Sequence, residues 1–99
     1  MPYVLRRRAT GEIAAATQRN RYLLDYYGVR WWESESDAEA ERDAFLARES
    51  LGPLADWDVV RVDEQNVKIM NVKLKNNPAY RVVMDREGKI AIAPREGGV

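Results

Sequence analysis

One segment of the chain carries clear helical signals, and it lies between runs of residues that favour strands. Residues 34–53 read SESDAEAERDAFLARESLGP. Ser36 can cap the first turn with its hydroxyl, and Glu39, three residues later, completes a capping box. The acidic residues that follow favour the positive end of the helix dipole, while Gly52 and Pro53 end the helix. The fold must therefore combine a helix here with strands on either side.

Within this predicted helix, mostly small side chains recur at helical spacing: Ala40, Ala44, Ala47 and Leu51. Phe45 and Leu46 flank this stripe. Small residues let a helix lie close against a sheet, so we expect the stripe to face the core. No histidine accompanies the acidic residues at metal-ligand spacing, and we expect those acids to form a solvated face.

Residues 3–17, YVLRRRATGEIAAAT, predict a β-hairpin. Aromatic and β-branched residues lead into Thr10 and Gly11, where glycine can take a positive φ, and Ile13 resumes an apolar stretch.

Two other interpretations of this region remain open. Residues 12–27 could form a helix, because three consecutive alanines favour helix and Gly28 can end it. Alternatively, the strand ends near Thr17 and a loop or short helical turn follows through Leu23 and Leu24.

After the central helix, residues 57–62 predict a strand with Val60 and Val62 on one face and Val59 on the other. Residues 80–93 predict a second hairpin by the same logic as the first.

Residues 64–76 fit two structures, and the sequence favours helix over bulged strand. A helix places three apolar residues on one face, namely Val67, Met70 and Leu74. A strand alternates in two pieces and requires a bulge after Ile69.

The order of these elements predicts an α+β fold. We expect a single small domain spanning residues 1–99, in which a mostly antiparallel sheet of about five or six strands packs against one or two helices, with helix covering one face. A chain of 99 residues is long enough for one hydrophobic core and too short for two. We expect the tail from about residue 95 to fray.

The residue inventory restricts the available chemistry, because the chain has no cysteine and no histidine. Disulfides, thiolate metal sites, thiol nucleophiles and imidazole bases are thereby excluded. Asp56 and Asp58 flank Trp57, but two such acids are more often ordinary loop residues than an acid–base pair. No Walker loop or GxGxxG motif occurs. We predict no enzymatic activity, no cofactor and no bound metal.

The N-terminal residues MPYVLRRR lack the apolar region of a signal peptide, and no apolar run approaches membrane-spanning length. The absence of cysteine fits a reducing compartment. We expect a small soluble cytoplasmic protein with no membrane partner.

The zero net charge hides an uneven distribution along the chain. Residues 1–32 hold six arginines against two acids, residues 33–64 hold eleven acids against three arginines, and the remainder holds seven basic residues against three acids. This pattern has two interpretations: the segments attract one another within the fold, or they form one basic and one acidic face.

The stretch YYGVRWW, residues 26–32, contains four of the nine aromatic residues. In an extended strand, Val29 and Trp31 share one face while Arg30 and Trp32 share the other. We expect Trp31 to lie in the core and Trp32 to lie on the outer face, where either another part of this chain covers it or it serves as an exposed partner anchor.

These observations predict a non-enzymatic module that binds a protein partner or assembles as a homo-oligomer, with a homodimer as the simplest form. The alternative is a nucleic-acid-binding domain that uses an arginine and aromatic sheet face. The candidate partner-binding residues are Arg6, Arg8, Arg19, Arg21, Tyr22, Arg30 and Trp32.

Overall fold

A computed structural model describes residues 1–94. One curled antiparallel sheet and a separate two-stranded hairpin pack against two helices. The predicted α+β fold is confirmed. The expected fraying from residue 95 lies outside the described residues. The elements are β1 (Tyr3–Arg7), β2 (Glu12–Ile13), β3 (Ala15–Arg19), β4 (Asp25–Val29), β5 (Trp31–Trp32), α1 (Glu35–Arg48), β6 (Trp57–Arg61), α2 (Glu64–Leu74), β7 (Tyr80–Met84) and β8 (Ile90–Pro94).

Strand β1 is the centre of the sheet. One edge of β1 pairs with β6 over its full length, from Tyr3 opposite Arg61 to Arg7 opposite Trp57. The other edge pairs with β5 at its start and with β2 near its end. β2 then pairs with β7, and β7 with β8, so the sheet curls into a half-barrel that ends at β6 and β8.

The turn between β1 and β2 depends on glycine. Gly11 has a φ of +82°, and a Cβ at this position would lie 2.5 Å from the Met84 carbonyl oxygen. The Gly11 carbonyl also accepts a hydrogen bond of 2.9 Å from the Met84 N–H. The predicted first hairpin is confirmed, because β1 and β2 pair antiparallel. The close approach of β7 leaves no room for a side chain at position 11.

The chain leaves the main sheet at Ala14 and returns to it at Arg30. The Ala14 N–H donates to the Leu5 carbonyl at 2.9 Å, and the Arg30 N–H donates to the Ala14 carbonyl at 3.0 Å. Between these two points, β3 and β4 form a separate two-stranded sheet. The alternative helix over residues 12–27 is therefore wrong. The alanines at 14–16 are buried, so their small size serves packing rather than helix formation.

A helix covers each face of the sheet, which corrects the expected coverage of one face. Val4 and Leu5 are consecutive in β1 and so point to opposite faces. Val4 belongs to a core cluster with Met70 of α2, and Leu5 belongs to a second cluster with Phe45 of α1. The element order alone could not show that the two helices lie on opposite faces.

Helix α1 lies where it was predicted, but its cap and buried face differ from the prediction. Ser34, not Ser36, is the N-cap, and its Oγ accepts a hydrogen bond of 3.1 Å from the Asp37 N–H. The predicted alanine stripe is wrong, because Ala40, Ala44 and Ala47 are exposed. The buried residues are Ala38, Phe45 and Leu46, since the larger side chains bury more apolar surface than the alanines could.

Helix α2 confirms the preferred interpretation of residues 64–76, and the bulged strand is wrong. Its buried face consists of the three predicted residues, Val67, Met70 and Leu74. The predicted strand at 57–62 and the hairpin at 80–93 are also confirmed as β6 and as β7 with β8. Val60 and Val62 face one core cluster while Val59 packs against the other, as expected.

Two asparagines of the α2 region cover the outer edge of β4. Asn71 Oδ1 accepts a hydrogen bond of 2.9 Å from the Val29 N–H, and Asn76 Oδ1 accepts one of 2.5 Å from the Tyr27 N–H. Gly28 lies between these contacts, and a Cβ there would lie 3.0 Å from Asn71 Oδ1. The edge of β4 is therefore satisfied by side chains rather than by another strand.

We predict that Asn71→Ala lowers the free energy of unfolding by about 1–3 kcal/mol, because the buried Val29 N–H loses its acceptor. Urea denaturation measures the change. Asn71→Asp is the matched control, since it keeps an oxygen acceptor and should lose less. Equal losses in the two variants would contradict the role assigned to the acceptor.

Candidate functional site

The seven predicted site residues lie in three separate places. Arg6 and Arg8 lie at the end of β1. Arg30 and Trp32 lie beside α1. The other three occupy the far end of the β3–β4 hairpin: Arg19, Arg21 and Tyr22. The structure brings residues together within each group and does not join the three groups into one surface.

Trp32 is a core residue covered by α1, which confirms the alternative of cover from another part of the chain and excludes an exposed anchor. The expected core position of Trp31 is wrong. The Trp32 side chain is 4% exposed, whereas Trp31 is 37% exposed. Trp32 packs edge-on against Phe45, with ring centroids 5.8 Å apart. The predicted alternation of faces holds, since Arg30 lies over the Trp32 ring while Trp31 lies beside α2, on the side of Val29. Trp32 is buried because α1 covers its face.

Arg30 covers the outer side of Trp32. Its guanidinium carbon lies 4.5 Å from the centroid of the Trp32 ring, a cation–π contact. Its Nη1 donates to the Trp31 carbonyl at 2.9 Å, and its Nη2 lies 3.3 Å from Glu41 Oε1. The Arg30 guanidinium thus joins β5 to α1 within the fold.

Arg6 and Arg8 also bond within the chain. Arg6 Nε donates to the Met84 carbonyl at 2.8 Å. Arg8 holds Asp58 through two contacts, Nη2 to Oδ1 at 2.6 Å and Nε to Oδ2 at 3.2 Å. The hydrogen bond from Arg8 lowers the pKa of Asp58, which is the opposite of what a general acid beside Trp57 requires.

The uneven charge along the chain leads to attraction between segments. Arg8 and Arg30 of the basic N-terminal part pair with Asp58 and Glu41 of the acidic part. These two ion pairs support the first interpretation of the charge pattern. Arg81 of the C-terminal part lies 3.7 Å from Glu12, which belongs to the N-terminal part, so this pair joins the two basic segments.

The end of the β3–β4 hairpin exposes three consecutive apolar side chains. Tyr22, Leu23 and Leu24 are 68%, 73% and 63% exposed. We call residues 20–24 the apolar tip. Apolar side chains scattered singly over a surface are common, whereas these three are consecutive and form one exposed apolar cluster at the turn.

Hydrogen bonds to Asn20 hold the apolar tip in one conformation. Asn20 Oδ1 accepts from the Tyr22 N–H at 2.8 Å and from the Leu24 N–H at 3.1 Å. The Asn20 carbonyl accepts from the Leu23 N–H at 3.0 Å. Below the turn, Arg19 pairs with Asp25 at 3.2 Å.

Leu23 occupies an unfavourable backbone conformation. Its φ is 63°, in the left-handed region where glycine and asparagine are far more common than leucine. The Leu23 side chain is exposed, so it gains no burial energy within the fold that would offset this backbone strain. Backbone strain of this kind is concentrated at functional sites.

Sequence reasoning identified Arg19, Arg21 and Tyr22 but missed the two leucines, which it placed in a connecting loop. The sequence does contain one indication of their exposure. Tyr22, Leu23 and Leu24 lie between arginine and aspartate, and they continue neither a helical nor an alternating apolar pattern. Arg21 extends the surface by lying over Tyr22, with 5.0 Å from its guanidinium carbon to the ring centroid.

Two shallow concavities lie elsewhere on the surface. One of about 260 Å³ lies between Trp31 and α2, and one of about 320 Å³ adjoins the β1–β2 turn at Thr10. Both volumes lie near or below the lower end of the range of roughly 300–1,000 Å³ for small-molecule sites. Among residues 1–94, no group of three or more acidic side chains could hold a metal ion.

No helix within the described part of the chain is long and apolar enough to cross a membrane. No protein-family model matches the chain, and its comparisons with curated proteins and with solved structures give no match.

We predict that Trp32→Ala lowers the free energy of unfolding by about 3–5 kcal/mol, as expected for loss of a buried aromatic ring. Trp31→Ala should cost much less, because that ring is partly exposed. Guanidinium chloride melts of the two variants provide the comparison. Equal losses would show that both rings are structural.

We predict that Arg8→Ala raises the pKa of Asp58 toward its ordinary value, because the variant removes the hydrogen bond that lowers it. In the unchanged protein, the Asp58 pKa is lower when folded than when unfolded, so its contribution to stability is present above the unfolded pKa and lost as pH falls through the folded pKa. Carboxyl-carbon NMR titration of both proteins measures the shift. Arg86→Ala is the control, and an unchanged Asp58 pKa in Arg8→Ala would contradict the pairing.

Proposed function

We propose that this chain is a non-enzymatic protein-binding module and that the apolar tip is its contact element. The observation that carries the proposal is the run of three exposed apolar side chains on a hydrogen-bonded turn with a strained leucine. The turn is preorganised, so a partner does not bear the entropic cost of ordering it.

The chemistry of the apolar tip defines the partner surface that it fits. Complete burial of one leucine side chain contributes about 1.5–3 kcal/mol, so Leu23 and Leu24 together can support measurable binding. Tyrosine and arginine are enriched at interface hot spots, and Tyr22 with Arg21 supplies both. The partner is therefore a protein with an apolar pocket and a hydrogen-bond acceptor at its rim.

The other elements of the proposal have their own support. A non-enzymatic, cofactor-free role fits the absence of histidine and cysteine, and a cytoplasmic location fits the absence of cysteine. Nucleic-acid binding has less support, because Arg8, Arg19 and Arg30 pair with carboxylates of this chain.

We predict that Leu23→Asn weakens partner binding about tenfold or more while raising stability by about 1 kcal/mol. The affinity falls because an apolar anchor is lost, and the stability rises because asparagine tolerates a positive φ better than leucine. A photo-crosslinking residue at position 22 first captures the partner. The purified partner is then titrated calorimetrically against the unchanged protein and Leu23→Asn, and urea melts report stability.

Val72→Asn is the matched control, because Val72 is an exposed apolar residue on α2, far from the turn in sequence. A crosslinker at position 72 provides the corresponding capture control. Equal capture at positions 22 and 72 would overturn the proposal, and so would a captured partner that binds Leu23→Asn with unchanged affinity. Binding that depends on the apolar tip but is directed to oligonucleotides or anionic vesicles would also overturn it.

A further inference from the structure

Strand β8 ends the half-barrel with an unpaired edge. In the described part of the chain, β8 pairs only with β7. Helix α2 packs against the face formed by β7 and β8, and among the residues that the structure describes it does not hydrogen-bond to the free edge of β8 as a neighbouring strand would. An open edge presents backbone donors and acceptors that another strand can pair with.

The register identifies which backbone groups of β8 face outward. The Asp85 N–H donates to the Lys89 carbonyl, so these two residues form a hydrogen-bonded pair at the start of the hairpin. Because such pairs alternate in an antiparallel ladder, Ala91 bonds toward β7 while Ile90 and Ile92 direct their N–H and C=O groups outward. The Met84 N–H points away from β8, toward the Gly11 carbonyl, which agrees with this register.

The side chains of β8 from Ile90 to Ala93 give this edge none of the usual protection against pairing. β8 reads IAIAP and has no charged residue, with a proline only at its end. By contrast, β6 carries Asp58 and Arg61, β3 ends in Arg19, and asparagine side chains cover β4. Charged residues and covering groups are the features that natural proteins use to block edges.

We propose that two copies of this chain associate through antiparallel pairing of their β8 edges. A two-fold axis at Ala91 places Ile90 of one copy opposite Ile92 of the other, so the outward N–H and C=O groups of both isoleucines are satisfied. The half-buried Ile90 and Ile92 side chains lie on one face and meet across the axis. The edge is thus complementary to itself, which identifies a second copy as its occupant.

Sedimentation of the full chain over a range of concentrations tests this pairing. The unchanged protein should dimerise, and Ala91→Lys should weaken the dimer about fivefold or more, because two ammonium groups then lie directly opposite each other across the axis. The Ala91 side chain is exposed, so the fold should tolerate the substitution. Amide exchange should show protection at Ile90 and Ile92 that increases with concentration.

A charge exchange distinguishes the proposed register from other contacts. Ala91→Glu alone should weaken the dimer as Ala91→Lys does, and a mixture of the two variants should recover it. Ala40→Lys, at an exposed alanine of α1, should leave the dimer unchanged. A monomer at all concentrations, a dimer unaffected by Ala91→Lys, or no recovery in the mixture would each overturn the proposal. Leu23→Asn should dimerise normally, so this result is independent of the apolar tip.

Discussion

Two backbone hydrogen bonds at Ala14 determine how the rest of the chain is arranged. Its N–H donates to Leu5 and its carbonyl accepts from Arg30, so three chain segments are joined at one residue. Beyond Ala14, β3 and β4 form their own two-stranded sheet, which diverges from the main sheet. The divergence carries the apolar tip away from the main sheet, and the returning strand β5 pairs with β1, where α1 covers Trp32.

The edges of the two sheets differ in how they are covered. The donors of β4 meet Asn71 and Asn76, whereas β8 has neither a covering side chain nor a charge among its described residues. The apolar tip presents a similar contrast, because hydrogen bonds to Asn20 hold its turn while its apolar side chains are exposed. The apolar tip thus exposes apolar side chains, and β8 exposes backbone hydrogen-bonding groups.

The two proposals combine in a simple way. A dimer formed through β8 would carry two copies of the apolar tip, one on each chain. A partner that repeats its binding pocket could then engage both, and the second contact would form at a high effective concentration. Modest affinity at each tip would be sufficient for tight binding overall.

Local sequence determined the elements, and tertiary structure decided their faces and the candidate site. The spacing of Val67, Met70 and Leu74 predicts α2, and Gly11 marks the first turn, because helix period and positive φ are properties of neighbouring residues. Arg19, Arg21 and Tyr22 were also recognisable as candidate residues from their side chains alone.

Other features depend on contacts between distant residues. Ser34 and Ser36 have the same capping group, and only the packing of α1 selects between them. The burial of Trp32 requires α1 on its face of the sheet, and the exposure of Leu23 requires a hairpin that leaves the sheet. A sequence pattern records which side chains are apolar, but burial depends on which surfaces the folded chain brings together, and that is decided only in the tertiary structure.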